Sequence, residues 1–126
     1  MHTEKIVLDH LKHCPGIVRL YSTFHDQLRV YFLLEYLSNG SLHDLLKREG
    51  GKLSIGTSRI IAAELVLVLA ELRHNEIIHR DLKPGNIMFD QDYHIKLIDF
   101  ATAKTLNSDL KQRIPLRRIK QNIIDN

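Results

Sequence analysis

An α+β fold is predicted by two hydrophobic patterns lying side by side in one short chain. Ile61, Leu65, Val68, Leu69 and Leu72 recur at the spacing of an amphipathic helix, whereas residues 18–24 and 29–36 carry the aromatic and branched side chains that suit strands. The 126 residues suffice for one modest core and are too few for two ordinary domains. Hydrophobic residues at 44% and charged residues at 26% give a globular balance, which argues against a disordered or fibrous chain.

Taken in order, residues 3–12 place Ile6, Val7, His10 and Leu11 at helical spacing, with Glu4 and Lys5 available to other faces. His13-Cys14-Pro15-Gly16 ends this helix, because proline lacks an amide donor and disfavours helical torsions in the residue before it. The two strand-like runs follow, separated by His25-Asp26-Gln27, and read as an antiparallel hairpin. Ser38-Asn39-Gly40 signals a turn, after which Leu42, Leu45 and Leu46 suit a short helix closing at Glu49-Gly50-Gly51. A longer helix is expected from Ser54, a capping residue, to about His74, with its apolar stripe forming a buried spine. Ile87-Met88-Phe89 and Ile95-Lys96-Leu97-Ile98 read as two short strands around Asp90-Gln91-Asp92, a hairpin that sets Asn86 and Asp99 at neighbouring ends.

From Lys104 to Lys120 six basic residues face one acid, Asp109, with Leu110, Ile114, Leu116, Ile119 and Ile123 interleaved and Pro115 interrupting. The expected organisation is a domain over residues 1–106 and a solvated basic tail over 107–126, suited to an acidic surface if it docks at all. The net charge of +3 is concentrated there, so no specific nucleic-acid partner is expected. Leu65 to Ala70, the most apolar stretch, is bracketed by Glu64 and Glu71, far short of the roughly twenty residues that cross a bilayer. Residues 1–12 hold no signal-type apolar run, and the single Cys14 has no internal disulfide partner, so an intracellular setting, cytoplasmic or nuclear, is expected.

Chemistry concentrates in His79-Arg80-Asp81-Leu82-Lys83-Pro84-Gly85-Asn86, followed by Asp99-Phe100. Carboxylates, a lysine and an amide oxygen in this order, with an eighteen-residue step from Asp81 to Asp99, resemble the signature of the eukaryotic-type protein kinase family. Any one of these residues alone reads more simply as a solvated loop charge or a turn cap; the ordered set with strand-like flanks does not. The resemblance implies an α+β protein-kinase-like fold, here part of the N-lobe, the hinge and the first half of the C-lobe. It implies ATP and Mg2+ as cofactors, Asp81 as the base that accepts the substrate hydroxyl proton and Lys83 on the transferring phosphoryl. Asn86 and Asp99 then supply oxygen ligands to the metal.

The likeness extends from Glu4 to about Leu106. Glu4 is similar to the family's C-helix glutamate, which pairs with the ATP-binding lysine. Leu34 resembles the gatekeeper; Glu35, Tyr36 and Leu37 resemble the hinge that meets adenine, and Met88 the apolar residue beneath it. Leu8, Leu20, His79 and Phe100 align with the stacked regulatory spine, a reading fully compatible with ordinary core packing. Lys83 resembles the serine/threonine-directed branch. Residues 20–24, 38–40 and 98–104 are most similar to phosphoinositide-dependent kinases of the AGC group.

Three departures bear on activity. The sequence given shows no Gly-rich loop or lysine strand before Glu4, has Ala101 where the family has glycine, and contains no Ala-Pro-Glu. The expectation is therefore a chain that transfers little or no phosphate when free-standing, with a pseudokinase-type binding module or a non-functional gene fragment as alternatives. Its partners would be a protein substrate or a regulator. Residues 51–58 have Walker A spacing but threonine where the phosphate-binding lysine belongs, Asn39-Gly40-Ser41 is only formally a glycosylation sequon, and His10, His13 and Cys14 lack a fourth zinc ligand.

Overall fold

In the computed structural model, which describes residues 2–113, helix α1 (His2–His10) opens the chain. Val7, Leu8 and Leu11 are its buried stripe, and His10, expected on that face, is exposed. Leu8 takes its place because the core lies over the i, i+1, i+4 side of the helix. The chain then turns through Pro15, and Ile17 and Val18 run beside residue 97: Val18 N–H donates to Leu97 O at 3.1 Å, and Leu97 N–H to Gly16 O at 2.9 Å.

Strands β1 (Leu20–His25) and β2 (Val30–Leu34) form the expected antiparallel hairpin, shorter than the apolar runs suggest, with a bulge between Leu20 and Ser22. Asp26 makes the turn. Its Oδ1 accepts the amides of Leu28 and Arg29, and its Oδ2 accepts the Tyr31 hydroxyl, bonds that hold the carboxyl below its ordinary pKa.

Helix α2 (Leu42–Arg48) begins with a capping box, Ser41 Oγ accepting the Asp44 amide while Asp44 Oδ2 accepts that of Ser41. Gly40 precedes it at φ 70°, and a Cβ there would stand 2.9 Å from Asp44 Oδ2, so the box needs glycine at this turn. Helix α3 (Ile55–His74) starts where expected, at the Ser54 cap. Its expected stripe is only partly buried: Val68 and Leu72 are buried, Ile61 and Leu65 half-buried and Leu69 37% exposed, and off the stripe Leu67 is 67% exposed. One side of α3 packs on β3 (Ile77–Ile78), on β5 (Ile95–Leu97) and on the Pro15–Gly16 turn; among the described residues nothing covers the other.

β5 pairs antiparallel with β4 (Ile87–Phe89), the second hairpin expected. β3 pairs with β6 (Lys104–Thr105), a ladder of two residues per strand. Among the described residues three separate two-stranded sheets result. Residues 107–113, expected to belong to a solvated tail, instead fold: Asn107 Oδ1 accepts the amides of Asp109 and Leu110 at the start of α4 (Ser108–Arg113), and Leu110 joins the core beside α1. The interleaved apolar residues Ile114, Leu116, Ile119 and Ile123 lie outside the described residues. No helix among the described residues is long and apolar enough to cross a membrane.

Candidate functional site

The loop after β3 is organised by His79. Its ring is buried, meets Phe100 edge-on at 4.8 Å, donates from Nε2 to Ile98 O at 2.8 Å and accepts the Asp81 amide at Nδ1 at 3.1 Å. One donor and one acceptor nitrogen define a neutral ring in the Nε2–H tautomer. The ring thereby ties the loop to the chain just before Asp99. Arg80 sits at φ 70°, a left-handed torsion costly for a side chain with a Cβ, and its Nε donates to Thr102 O at 2.6 Å. Leu8, Leu20, His79 and Phe100 all contribute to the core, Leu20 only half-buried.

Asn86 ends a 3₁₀ turn (Pro84–Asn86) and is buried. Its Nδ2 donates to Asp81 O at 2.9 Å and to Asp81 Oδ2 at 3.1 Å. Both partners are oxygens, so the amide's orientation is fixed and its Oδ1 accepts no bond among the described residues. Ile98 N–H donates to Asn86 O at 2.9 Å, which sets Asn86 beside Asp99 at the open end of the β4–β5 hairpin, as expected. Asp99 stands at φ 60° and accepts the Ala101 amide at Oδ1, 3.3 Å away. Lys83 reaches Asp81 Oδ2 at only 3.7 Å and is largely exposed.

Above this loop a cavity of about 350 Å³ is lined by Glu4, Val18, Leu34, Glu35, Tyr36, Leu37, Met88, Ile98 and Asp99. All four residues expected at the nucleotide, Glu4, Glu35, Leu37 and Met88, meet there with Asp99. Asp81, Lys83 and Asn86 do not line it. Val18 and Ile98 escaped the sequence reading. Ile98 had a signal in the alternation of β5, where Leu97 faces the core and its neighbour the cavity; Val18 had none, since its placement depends on the long-range bond to Leu97.

Glu4 Oε1 accepts the Phe100 amide at 3.2 Å, linking α1 to the segment after Asp99. Burial raises the Glu4 carboxyl pKa, the Phe100 bond opposes this and the Asp99 charge adds to the rise. Among the described residues no side-chain cation pairs with Glu4. At the hinge, Glu35 N–H donates to Arg19 O, while no described group bonds the Glu35 carbonyl or the Leu37 amide.

The described residues contain no group of three or more His, Cys, Asp or Glu side chains able to hold a metal by themselves, so the imagined His10, His13 and Cys14 set does not form. The donors offered are hard oxygens, Asn86 Oδ1 and the free oxygen of Asp99. That set fits Mg2+, which keeps several waters and takes one or two protein oxygens plus phosphate. The apolar walls Val18, Leu34, Leu37 and Met88 fit a flat heteroaromatic ring.

Comparison with known proteins agrees with this geometry. Residues 1–120 match the protein kinase domain family. The chain is 47% identical over 104 residues to serine/threonine-protein kinase PKH2 of Saccharomyces cerevisiae, covering 82% of this chain and 10% of that protein. It is 46% identical over 107 residues to 3-phosphoinositide-dependent protein kinase B of Dictyostelium discoideum, 85% of this chain and 12% of that one. It is 43% identical over 109 residues to human 3-phosphoinositide-dependent protein kinase 1, 86% and 19% respectively. The chain thus spans less than a fifth of the length of each of these relatives. With the family matched over nearly its whole length and the loop, hinge and cavity arranged as described, this chain belongs to the protein kinase domain family.

Proposed function

We propose that this chain carries the catalytic loop and the hinge side of the nucleotide site of a serine/threonine protein kinase. Phosphoryl transfer needs positioning and charge neutralisation more than covalent chemistry from the protein. Asp81 orients the substrate hydroxyl and takes its proton, and Lys83 moves from its long contact with Asp81 onto the transferring phosphoryl. Asn86 and Asp99 would hold Mg2+ through oxygen, and Glu35, Leu37 and Met88 would hold the base. Glu4 serves as the partner of a cation near the phosphates. When bound, ATP supplies the phosphoryl group and the metal neutralises its charge.

The observation that carries this reading is Asn86: one buried amide fixes Asp81 through its nitrogen, has no partner on its oxygen among the described residues, and accepts the Ile98 amide at its backbone carbonyl, one residue before Asp99. The partner is a protein hydroxyl, in keeping with the serine/threonine-protein kinases among its relatives. An intracellular location follows from the need for ATP.

The test is thermal stabilisation by Mg-ATP together with radiolabelled phosphate transfer to a generic serine and threonine substrate. Mg-ATP should raise the melting temperature of the 126-residue chain, and Asp99→Asn should remove the metal-dependent part. Any transfer should vanish in Asp81→Asn. Absence of nucleotide stabilisation in the unaltered chain would sink the proposal. A second reading, a nucleotide-binding regulatory module that transfers nothing, is favoured by Glu4: its carboxylate takes the Phe100 amide and no described cation pairs with it. Stabilisation without transfer supports that alternative.

A further inference from the structure

Glu35 and Arg19 face each other just beyond the β1–β2 ladder. Glu35 N–H donates to Arg19 O at 2.9 Å. In an antiparallel pair of this kind the return bond runs from the opposite amide to the first residue's carbonyl. Here Arg19 N–H donates instead to the side-chain oxygen Oε1 of Glu35, at 2.8 Å. The carboxylate has taken the place of the carbonyl in the ladder, and the carbonyl of Glu35, a residue that lines the cavity, has no partner among the described residues.

What holds the carboxylate there is Lys96. Its Nζ lies 3.2 Å from the same Oε1, and the two side chains are only 16% and 19% exposed. Lys96 sits opposite Met88 in the β4–β5 register, so the pair links the floor of the cavity to its hinge. A sheltered carboxylate stripped of its counterion turns towards water, because an uncompensated buried charge is costly. Arg19 N–H then falls back on the Glu35 carbonyl.

We infer that Lys96 is a positioning residue for base recognition: by retaining the Glu35 carboxylate it keeps the Glu35 carbonyl free to accept a bond from the 6-amino group of a purine. This rests on the nucleotide reading above. A 6-oxo purine presents an acceptor to that carbonyl, and two facing acceptors leave both unpaired. The specificity conferred is for adenine over hypoxanthine.

Binding of Mg-ATP and Mg-ITP to the full 126-residue chain, measured by calorimetry, tests it. The unaltered chain should favour ATP by about tenfold or more, and Lys96→Met should bring the ratio to within about twofold, as loss of one hydrogen-bond preference implies. Lys96→Arg should keep most of the preference. Glu35→Gln offers Arg19 an uncharged oxygen that needs no counterion, so adding it to Lys96→Met should restore the ratio, which a merely structural lysine would not allow. Circular dichroism establishes that each variant folds. A folded Lys96→Met chain with an unchanged ratio overturns the inference while leaving nucleotide binding intact; an unaltered chain that binds neither nucleotide overturns both.

Discussion

Asn86 shows how much one side chain decides at this site. Its amide donates twice to Asp81 from a buried position, so removing it frees Asp81 O and loosens the loop. Asn86→Ala should cost about 0.5–1.5 kcal/mol of stability in urea unfolding, the usual net worth of a hydrogen bond whose acceptor, here half-buried Asp81, can still reach water. Asn86→Asp adds a sharper test, because it sets a second carboxylate against Asp81. Two facing carboxylates raise the pKa of at least one, so the penalty should be large at pH 7 and shrink as the pH falls through the ordinary carboxylate range. A pH-independent penalty would remove the Asp81 contact from the explanation. That Asn86 and Asp99 stand at neighbouring ends of one hairpin was legible because its strands are close in sequence; the bond from Asn86 to Asp81 was not, since it depends on the 3₁₀ turn between them.

At the level of elements, α3 is stapled to the β4–β5 hairpin by Glu64. Its Oε1 pairs with His94 Nδ1 at 2.5 Å and its Oε2 accepts the Ile95 amide at 3.0 Å. The bond to Glu64 raises the His94 pKa above 6.5, its charge adds to this, and Asp90 and Asp92 push the same way. A histidine raised in the folded state binds its proton more tightly there, so its contribution is complete below the unfolded value and fades as pH rises through the folded one. Across pH 6 to 9, the window about that 6.5 reference, the melting temperature of the unaltered chain should fall relative to His94→Gln. The effect should be modest and weaken with salt, since His94 is 68% exposed. Parallel pH profiles would exclude the staple. The start of α3 was readable because Ser54 is a cap with a chemical reason, whereas the Ser41 capping box, β3 and β6 were not read, the strands because two residues carry no period.

For the whole molecule, α1, α3, β4, β5 and α4 feed one continuous cluster of buried residues, whereas β1 and β2 form a two-stranded ribbon with Tyr21, Phe24 and Leu33 exposed. Leu8 is buried in that cluster. Leu8→Ala should destabilise the chain by about 2–5 kcal/mol, with α1 and α3 melting together in far-ultraviolet circular dichroism. Backbone amides of β1–β2 should exchange with deuterium faster than those of β4–β5, as an isolated hairpin is marginal on its own. Equal protection of the two hairpins would contradict a core divided this way. The stripe of α3 read from periodicity is the side that packs, but less deeply than expected, because periodicity says which face is apolar and only the neighbours say how far it is covered.

The order of residues alone determined the family, the Ser54 cap of α3 and both main hairpins, because each depends on neighbours a few positions apart. Only the tertiary structure decided that Glu4 and Phe100, ninety-six positions apart, share a hydrogen bond, that Val18 walls the cavity, and that Lys96 holds the hinge carboxylate. These contacts join segments remote in sequence, and their energy comes from burial and from pairing polar groups away from water, quantities that exist only once the chain has closed on itself.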